Sequence, residues 1–205
     1  MMIRRLSQLF LGLALYGASM ALMLRAALGL DPWDVFHQGL SGRVGLSIGI
    51  VVNLVGLLVL LLWIPLRQKP GIGTVANVVM IGTCMDLTLA VLPPIPGLPL
   101  QIAALIFSVV ANGLAGALYI GAGLGPGPRD GLMTGLARRT GWSLRLVRTA
   151  IELVVLTAGW ALGGTIGVGT VLYAFTIGPL VQTFLPWVDM PPVRAKTLES
   201  MPVKR

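Results

Sequence analysis

Residues 34–89 occur twice. Moved forward by 96 positions they lie on residues 130–185 without a gap, and 18 of the 56 aligned pairs are identical. Composition alone would give a Leu-, Val- and Gly-rich chain only about five or six matches. The identities include Asp34/Asp130, Gly39-Leu40/Gly135-Leu136, Gly45/Gly141, Ser47/Ser143, Gly71/Gly167, Gly73-Thr74-Val75/Gly169-Thr170-Val171 and Ile81-Gly82/Ile177-Gly178. A duplicated unit constrains the fold more than any single motif, because two similar sequences must find two similar places in one structure.

Hydrophobic residues make up 56% of the 205 and charged residues 11%, with a mean hydropathy of +0.89. A soluble domain carries about 25% charge, so the class is integral membrane. Six segments reach the roughly 20 apolar residues that a span needs: 6–24, 44–66, 72–92, 100–122, 143–162 and 170–187. The first resembles a signal peptide behind Arg4 and Arg5. Its 19 uncharged residues exceed the usual run of about 7–15, and it has a counterpart at 100–122, so a retained helix is expected. The domain boundaries follow: a first three-helix repeat over 1–93, a second over 94–188, and a polar tail over 189–205.

With the N-terminus in the cytoplasm, 13 of the 15 Lys and Arg residues fall inside; only Arg25 and Arg43 fall outside. This predicts a multi-pass protein of the bacterial inner membrane with both termini cytoplasmic. The net charge of +8 is then matched to anionic lipid, which excludes nucleic acid as a partner. Three spans per copy is an odd number, so the second copy enters the membrane from the opposite side. Such inverted repeats are common in secondary transporters.

Between the first two spans of each copy, Gly and Pro end one helix and an Asp, Asp34 or Asp130, stands where a short helix begins. Asp there accepts from free backbone N–H groups. Three placements are open for these helices. They lie in the interface with Trp33, Phe36, Leu40 or Leu132, Met133, Leu136 toward lipid, they re-enter toward a central cavity, or they are capped connectors. The third span of each copy opens on Gly-x-Gly-Thr, at Gly71, Gly73, Thr74 and at Gly167, Gly169, Thr170. With Asp34 and Asp130 these are the candidate substrate-binding residues, since a helix start offers N–H groups to a ligand; the alternative is close helix packing. Asp86 lies within a span without a partner on its own helix and is the candidate ion-coupling residue. Arg148 and Glu152, four apart, are a candidate structural ion pair. Asn53, Asn77 and Asn112 suit hydrogen bonds between helices.

The single cysteine, Cys84, excludes an internal disulfide. One histidine, His37, near Asp34 does not make a metal site. No nucleophile triad, Walker loop or HExxH occurs, so neither an enzyme nor a cofactor is expected.

The pattern Leu28-Gly-x-x-Pro32-Trp33-Asp34 with Gly39-Leu40, the later Gly-x-Gly-Pro-x-Pro-Arg129-Asp130-Gly131-Leu132-Met133 and the Gly71-x-Gly73-Thr74 start resemble the YczE/YyaS/YitT family of small bacterial membrane proteins. The likeness runs over residues 6–186. It implies a multi-span inner-membrane protein and carries over no catalytic or binding residues. The expectation is an all-α membrane protein with six transmembrane helices in two inverted three-helix repeats, each with a short interfacial or re-entrant helix. Its function would be transport of a small molecule or ion by alternating access; the other reading is a helper that binds lipid or a partner membrane protein. Membrane lipids, a small-molecule substrate and a second copy of the chain are the partners such a protein would have.

Overall fold

The structure is a computed structural model in which residues 2–190 are described. It contains nine helices among those residues and no strand: α1 Met2–Ala26, α2 Pro32–Val44, α3 Ile48–Leu61, α4 Trp63–Leu66, α5 Ile72–Val91, α6 Leu98–Gly121, α7 Pro128–Thr140, α8 Leu144–Ala161 and α9 Val168–Val188. The tail expected over 189–205 lies outside the described residues beyond Met190.

Five helical segments are long and apolar enough to cross a membrane: α1, α3 with α4, α5, α6 and α9. The run expected over 143–162 does form a helix, α8, but Arg145, Arg148 and Glu152 within its 18 residues keep it out of that set. The second run starts later than its apolarity suggests. Arg43 and Val44 belong to α2, which ends at Gly45 in the left-handed region at φ 70°, and Ser47 then caps α3 by accepting from the Ile50 N–H. Apolar composition did not mark this boundary; the Gly and Ser did.

The helices form two layers. In the first, α1 and α6 run antiparallel. Arg5 Nη1 donates to the Ala122 carbonyl at 2.8 Å, Gln8 Nε2 to Leu118 O at 3.0 Å and Asn112 Nδ2 to Ser19 Oγ at 2.8 Å. Positions rise along one helix as they fall along the other. On the flanks α5 packs on α1 and α9 on α6. Gly17 lets the α5 backbone and Cys84 come close, and Gly113 does the same for Leu180. Gly17/Gly113 and Cys84/Leu180 are each 96 apart, so the two flanking contacts are copies of one design. Lipid tails are as apolar as Leu, so close backbone approach at small residues is what holds such helices together.

The second layer holds α2, α3, α7 and α8 around Trp33, Val51, Val55, Val59 and Leu132. Each short helix leans on the other copy: α2 on α8, α7 on α3 and α4. The backbone at Val35 and Phe36 occupies the space a Cβ of Gly159 would need, and the Trp63 ring occupies the space a Cβ of Gly131 would need. Val35 pairs with Gly131 in the repeat, and Trp63 with Gly159. Where one half supplies bulk, the other supplies room. The connecting loops exchange hydrogen bonds in the same way: Gly169 N–H donates to Leu28 O at 2.8 Å and Gly73 N–H to Leu124 O at 2.9 Å. Reciprocal contacts of this kind arise when equivalent surfaces meet.

Candidate functional site

The N-termini of α2 and α7 face the first layer, and the polar side chains collect between the layers. Pro32 at the first turn of α2 makes Asp31 its cap, and the Asp31 carboxylate accepts from the N–H groups of Trp33 at 3.1 Å and Asp34 at 3.3 Å. This leaves Asp34 free of the cap. It is fully buried, its Oδ1 lies 3.0 Å from His37 Nδ1, and its Oδ2 has no partner among the described residues. From the other copy, Arg129 reaches back with Nη1 3.8 Å from Asp31 Oδ1 and its Cζ 4.7 Å from the centre of the Trp33 ring. Trp33 and Arg129 are themselves 96 apart, so the repeat meets itself here.

Asp130 accepts from the Tyr119 hydroxyl at 2.5 Å, and the Tyr119 ring stands edge-on to Tyr16 at 6.1 Å. The Tyr173 hydroxyl donates to Asn112 Oδ1 at 2.9 Å. Tyr16 pairs with Asn112 in the repeat, and Asn77 with Tyr173, so a tyrosine on one side answers an asparagine on the other. A cavity of about 70 Å³ lies among Tyr16, Trp33, His37, Asn77, Tyr119, Arg129 and Asp130. A second of about 230 Å³ shares Tyr16, Tyr119 and Asp130 with it and runs between α6, α9 and α8 past Asn112, Tyr173, Arg148 and Gln182. The smaller has room for several waters by the roughly 10–15 Å³ that each needs.

Burial sets the protonation of the α2 groups. It pushes the Asp31 carboxyl up to about 8, with the neighbouring Asp34 adding to it; it raises Asp34 as well; and it holds the His37 imidazole down at about 3. Two adjacent carboxylates in a poorly solvated place do not both ionise. The Arg129 guanidinium beside them works against that rise. His37 is neutral.

Of the candidate binding residues, Asp34 and Asp130 both reach the site, Asp130 from the cavity wall and Asp34 from behind His37. Gly71, Gly73 and Thr74 do not line either cavity, nor do Gly167, Gly169 and Thr170. Their helix starts face the loops of the opposite copy: Leu124 and Gly125 fill the space at Gly71, Leu28 and Gly29 the space at Gly167, and Thr74 Oγ1 donates to Pro126 O at 2.7 Å. In this structure both helix starts are covered by the loop of the opposite copy. Asp86 has partners on α3, not on its own helix: Ser47 Oγ donates to it at 2.5 Å and the Gly49 N–H at 2.9 Å. Arg148 Nε donates to Glu152 Oε1 at 2.9 Å. Asn53 bridges α3 to α5 through Thr83 Oγ1 at 3.2 Å and the Gly82 N–H at 3.1 Å.

Of the three placements open for α2 and α7, the one that turns their apolar residues to lipid does not fit the structure, which covers them with protein. Trp33, Leu132 and Met133 are buried, and Phe36, Leu40 and Leu136 are half-buried, packed in the second-layer core or beside it. Periodicity gave the apolar face, but a face covered by another helix and one covered by lipid read alike. Sequence reasoning missed Asp31, Arg129 and the tyrosines. Pro32 was the signal for Asp31, since Pro at the first helical position puts the cap one residue earlier. The chain has three tyrosines in all, and all three stand at this site; their rarity was the signal for them.

The family of unknown function DUF6198 matches residues 3–186, and the chain belongs to it. An uncharacterized protein of Haemophilus influenzae is 36% identical over 182 residues, 89% of this chain and 84% of its own length. The uncharacterized membrane protein YczE of Bacillus subtilis is 36% identical over 179 residues, 86% of this chain and 83% of its own. The uncharacterized protein YyaS of Bacillus subtilis is 27% identical over 186 residues, 87% and 91%. No solved structure matches. The chain is a membrane protein of the group that the loop motifs pointed to.

Proposed function

We propose that the protein is a transporter of a small molecule or ion in the bacterial inner membrane, working by alternating access. Its six spans would be α1, α3 with α4, α5, α6, α8 and α9, arranged as two inverted halves, with α2 and α7 as re-entrant helices whose N-termini meet at the substrate site. The antiparallel α1 and α6, the reciprocal loop bonds and the Trp33–Arg129 contact support this arrangement. The charges on α8 suit a span that faces an aqueous gap better than one wrapped in lipid.

One observation carries the reading. In the first half α3 is closed against α5 by Asp86, Asn53 and the Gly49–Gly82 backbone contact. At the corresponding place in the second half α8 packs on α2 and α7 but makes no comparable seam with α9, and the 230 Å³ cavity opens there. Two equivalent seams, one shut and one open with a polar site between them, are what one state of an alternating-access cycle requires. With both termini inside, the shut seam is external and this state faces the cytoplasm.

The experiment is thiol labelling from each side of the membrane. In a Cys84→Ser background, Val181→Cys lines the open cavity and Thr83→Cys lies at the shut seam. A membrane-impermeant maleimide should reach position 181 from the cytoplasmic side only. Conditions that expose position 83 to the outside should protect position 181. Labelling of both positions together, or of position 181 from outside, would remove the basis for alternating access. A static helper protein would keep one labelling pattern under all conditions.

A further inference from the structure

Among the charged groups that line the two cavities, one carboxylate has no ion pair among the described residues, and its surroundings suit one substrate class. Three charged groups face the cavities: Arg129, Arg148 and Asp130. Arg148 is matched by Glu152 at 2.9 Å. Arg129 stands beside the Asp31 carboxyl, with Nη1 3.8 Å from Oδ1. Asp130 makes no ion pair among the described residues; its hydrogen-bond partner is a neutral phenol, Tyr119. A half-buried carboxylate without a cation is costly in a poorly solvated site, so such a group is matched by a ligand or a proton when the site is closed. Three tyrosines stand in the wall around it. Tyr16, Tyr119 and Tyr173 all line the larger cavity with Asp130. Ring faces attract a cation, and most strongly one that sheds its water easily, as a substituted ammonium does.

We infer that the substrate is a small organic cation, whose ammonium group takes Asp130 as its counter-ion and Tyr16, Tyr119 and Tyr173 as its walls. The inference rests on the transport reading and makes it specific. A bare metal ion would want several oxygen ligands, and no cluster of metal-ligating side chains exists among the described residues. An anion would meet Asp130 as a repulsive charge, and each arginine already stands beside a carboxyl group. The cavity of about 230 Å³ is smaller than the roughly 300–1,000 Å³ of sites for drug-sized ligands, which points to a compact amine.

The test uses purified full-length protein in detergent and two isosteric probes, choline and neutral 3,3-dimethylbutan-1-ol. Choline should raise the thermal midpoint in a saturable way, and the alcohol should not. Asp130→Asn should weaken choline binding at least about tenfold, as expected for loss of a charge-assisted contact, and Asp130→Glu should recover part of it. Tyr173→Leu should weaken it about fivefold through loss of a ring face; this variant keeps the test decisive if Asp130→Asn does not fold. An equal response to both probes, no response to choline, or unchanged choline affinity in a folded Asp130 or Tyr173 variant overturns the inference. Uptake of radiolabelled choline into proteoliposomes separates the two readings. Binding without uptake sinks transport and leaves the cation site. Uptake of an acidic or neutral solute by protein that does not bind choline sinks the cation site and leaves transport.

Discussion

The α3–α5 seam and its repeat-equivalent, α8–α9, are built from the same duplicated stretch and are not alike. In the first, Gly49 and Gly82 let two backbones touch, Asp86 caps the start of α3, and Asn53 binds across to Gly82 and Thr83. In the second, the matching residues are Arg145 for Gly49, Thr149 for Asn53, Pro179 for Thr83 and Gln182 for Asp86. Ser143 and Gly178 are kept, and a Cβ at Gly178 would meet nothing within 4 Å. The duplication preserved the scaffold contacts at Gly17 and Gly113 and let the seams diverge. If the proposed cycle operates, unequal seams would give it a preferred resting state, since the seam with more hydrogen bonds and closer packing stays shut unless something compensates.

The largest expected effect contrasts the two conserved glycines. Gly82→Ala places a methyl group against the Gly49 carbonyl and the Asn53 amide, an overpacking that costs roughly 1–3 kcal/mol. Gly178→Ala meets open space and should be neutral or slightly stabilising, within about 0.5 kcal/mol. Thermal midpoints of the two purified variants check this directly. If the seams exchange during a cycle, Gly178→Leu should leave stability in the resting state unchanged yet abolish solute flux, because the second seam can no longer shut. Equal stability loss at Gly82 and Gly178 would mean that the two seams are closed alike.

A smaller effect is expected at Asp86. Asp86→Asn keeps the shape and removes the charge at the α3 N-terminus, a loss of about 0.5–2 kcal/mol by cap and dipole values. If the proposed cycle operates, it should move the population toward the state with the first seam open. Maleimide labelling of Thr83→Cys from outside should then rise about twofold to thirtyfold, the equilibrium equivalent of that energy. The reverse exchange, Arg145→Gly with Gln182→Asp, builds the missing cap in the second half and should slow labelling of Val181→Cys. Unchanged labelling in both would show that these polar contacts do not set the resting state.

Much of the helical plan was legible in the sequence because it depends on local signals: apolar runs of sufficient length, Pro and Gly at their ends, and a 96-residue repeat. The site was legible only in part. Asp34 and Asp130 were visible because the repeat keeps them, yet Asp34 faces His37 from behind the cavity while Asp130 faces the cavity itself. Asp86 looked partnerless because its partners, Ser47 and Gly49, lie 39 and 37 positions away. The two Gly-x-Gly-Thr starts suit a ligand or another backbone equally well, and nothing local shows that Leu28 and Leu124 come to lie against them. Tyr16 and Tyr173 are 157 positions apart along the chain, and no periodicity brings such residues together. What local sequence could not give was which element covers which.

The smallest effect concerns the two positions that start the short helices, Asp31 in the first half and its equivalent Gly127 in the second. Asp31 caps α2 through its side chain, whereas Gly127 has none to offer α7. Only the first half can therefore titrate at this point. The Asp31 carboxyl is raised to about 8 in the folded protein, chiefly by burial, against an ordinary value of 3.8. A group whose folded value is raised stabilises the fold below its unfolded value and loses that contribution as the pH climbs through the folded one. The thermal midpoint should accordingly fall between pH 6 and pH 9, the reverse of what a salt-bridged carboxylate would do. Asp31→Asn keeps a side-chain cap, since Asn serves nearly as well as Asp there, and removes the titration. Its midpoint should be flatter over the same range, while Gly127→Ala should leave the slope of the parent unchanged. An unaltered slope in Asp31→Asn would place the proton on Asp34 instead and leave the asymmetry between the halves to the seams alone.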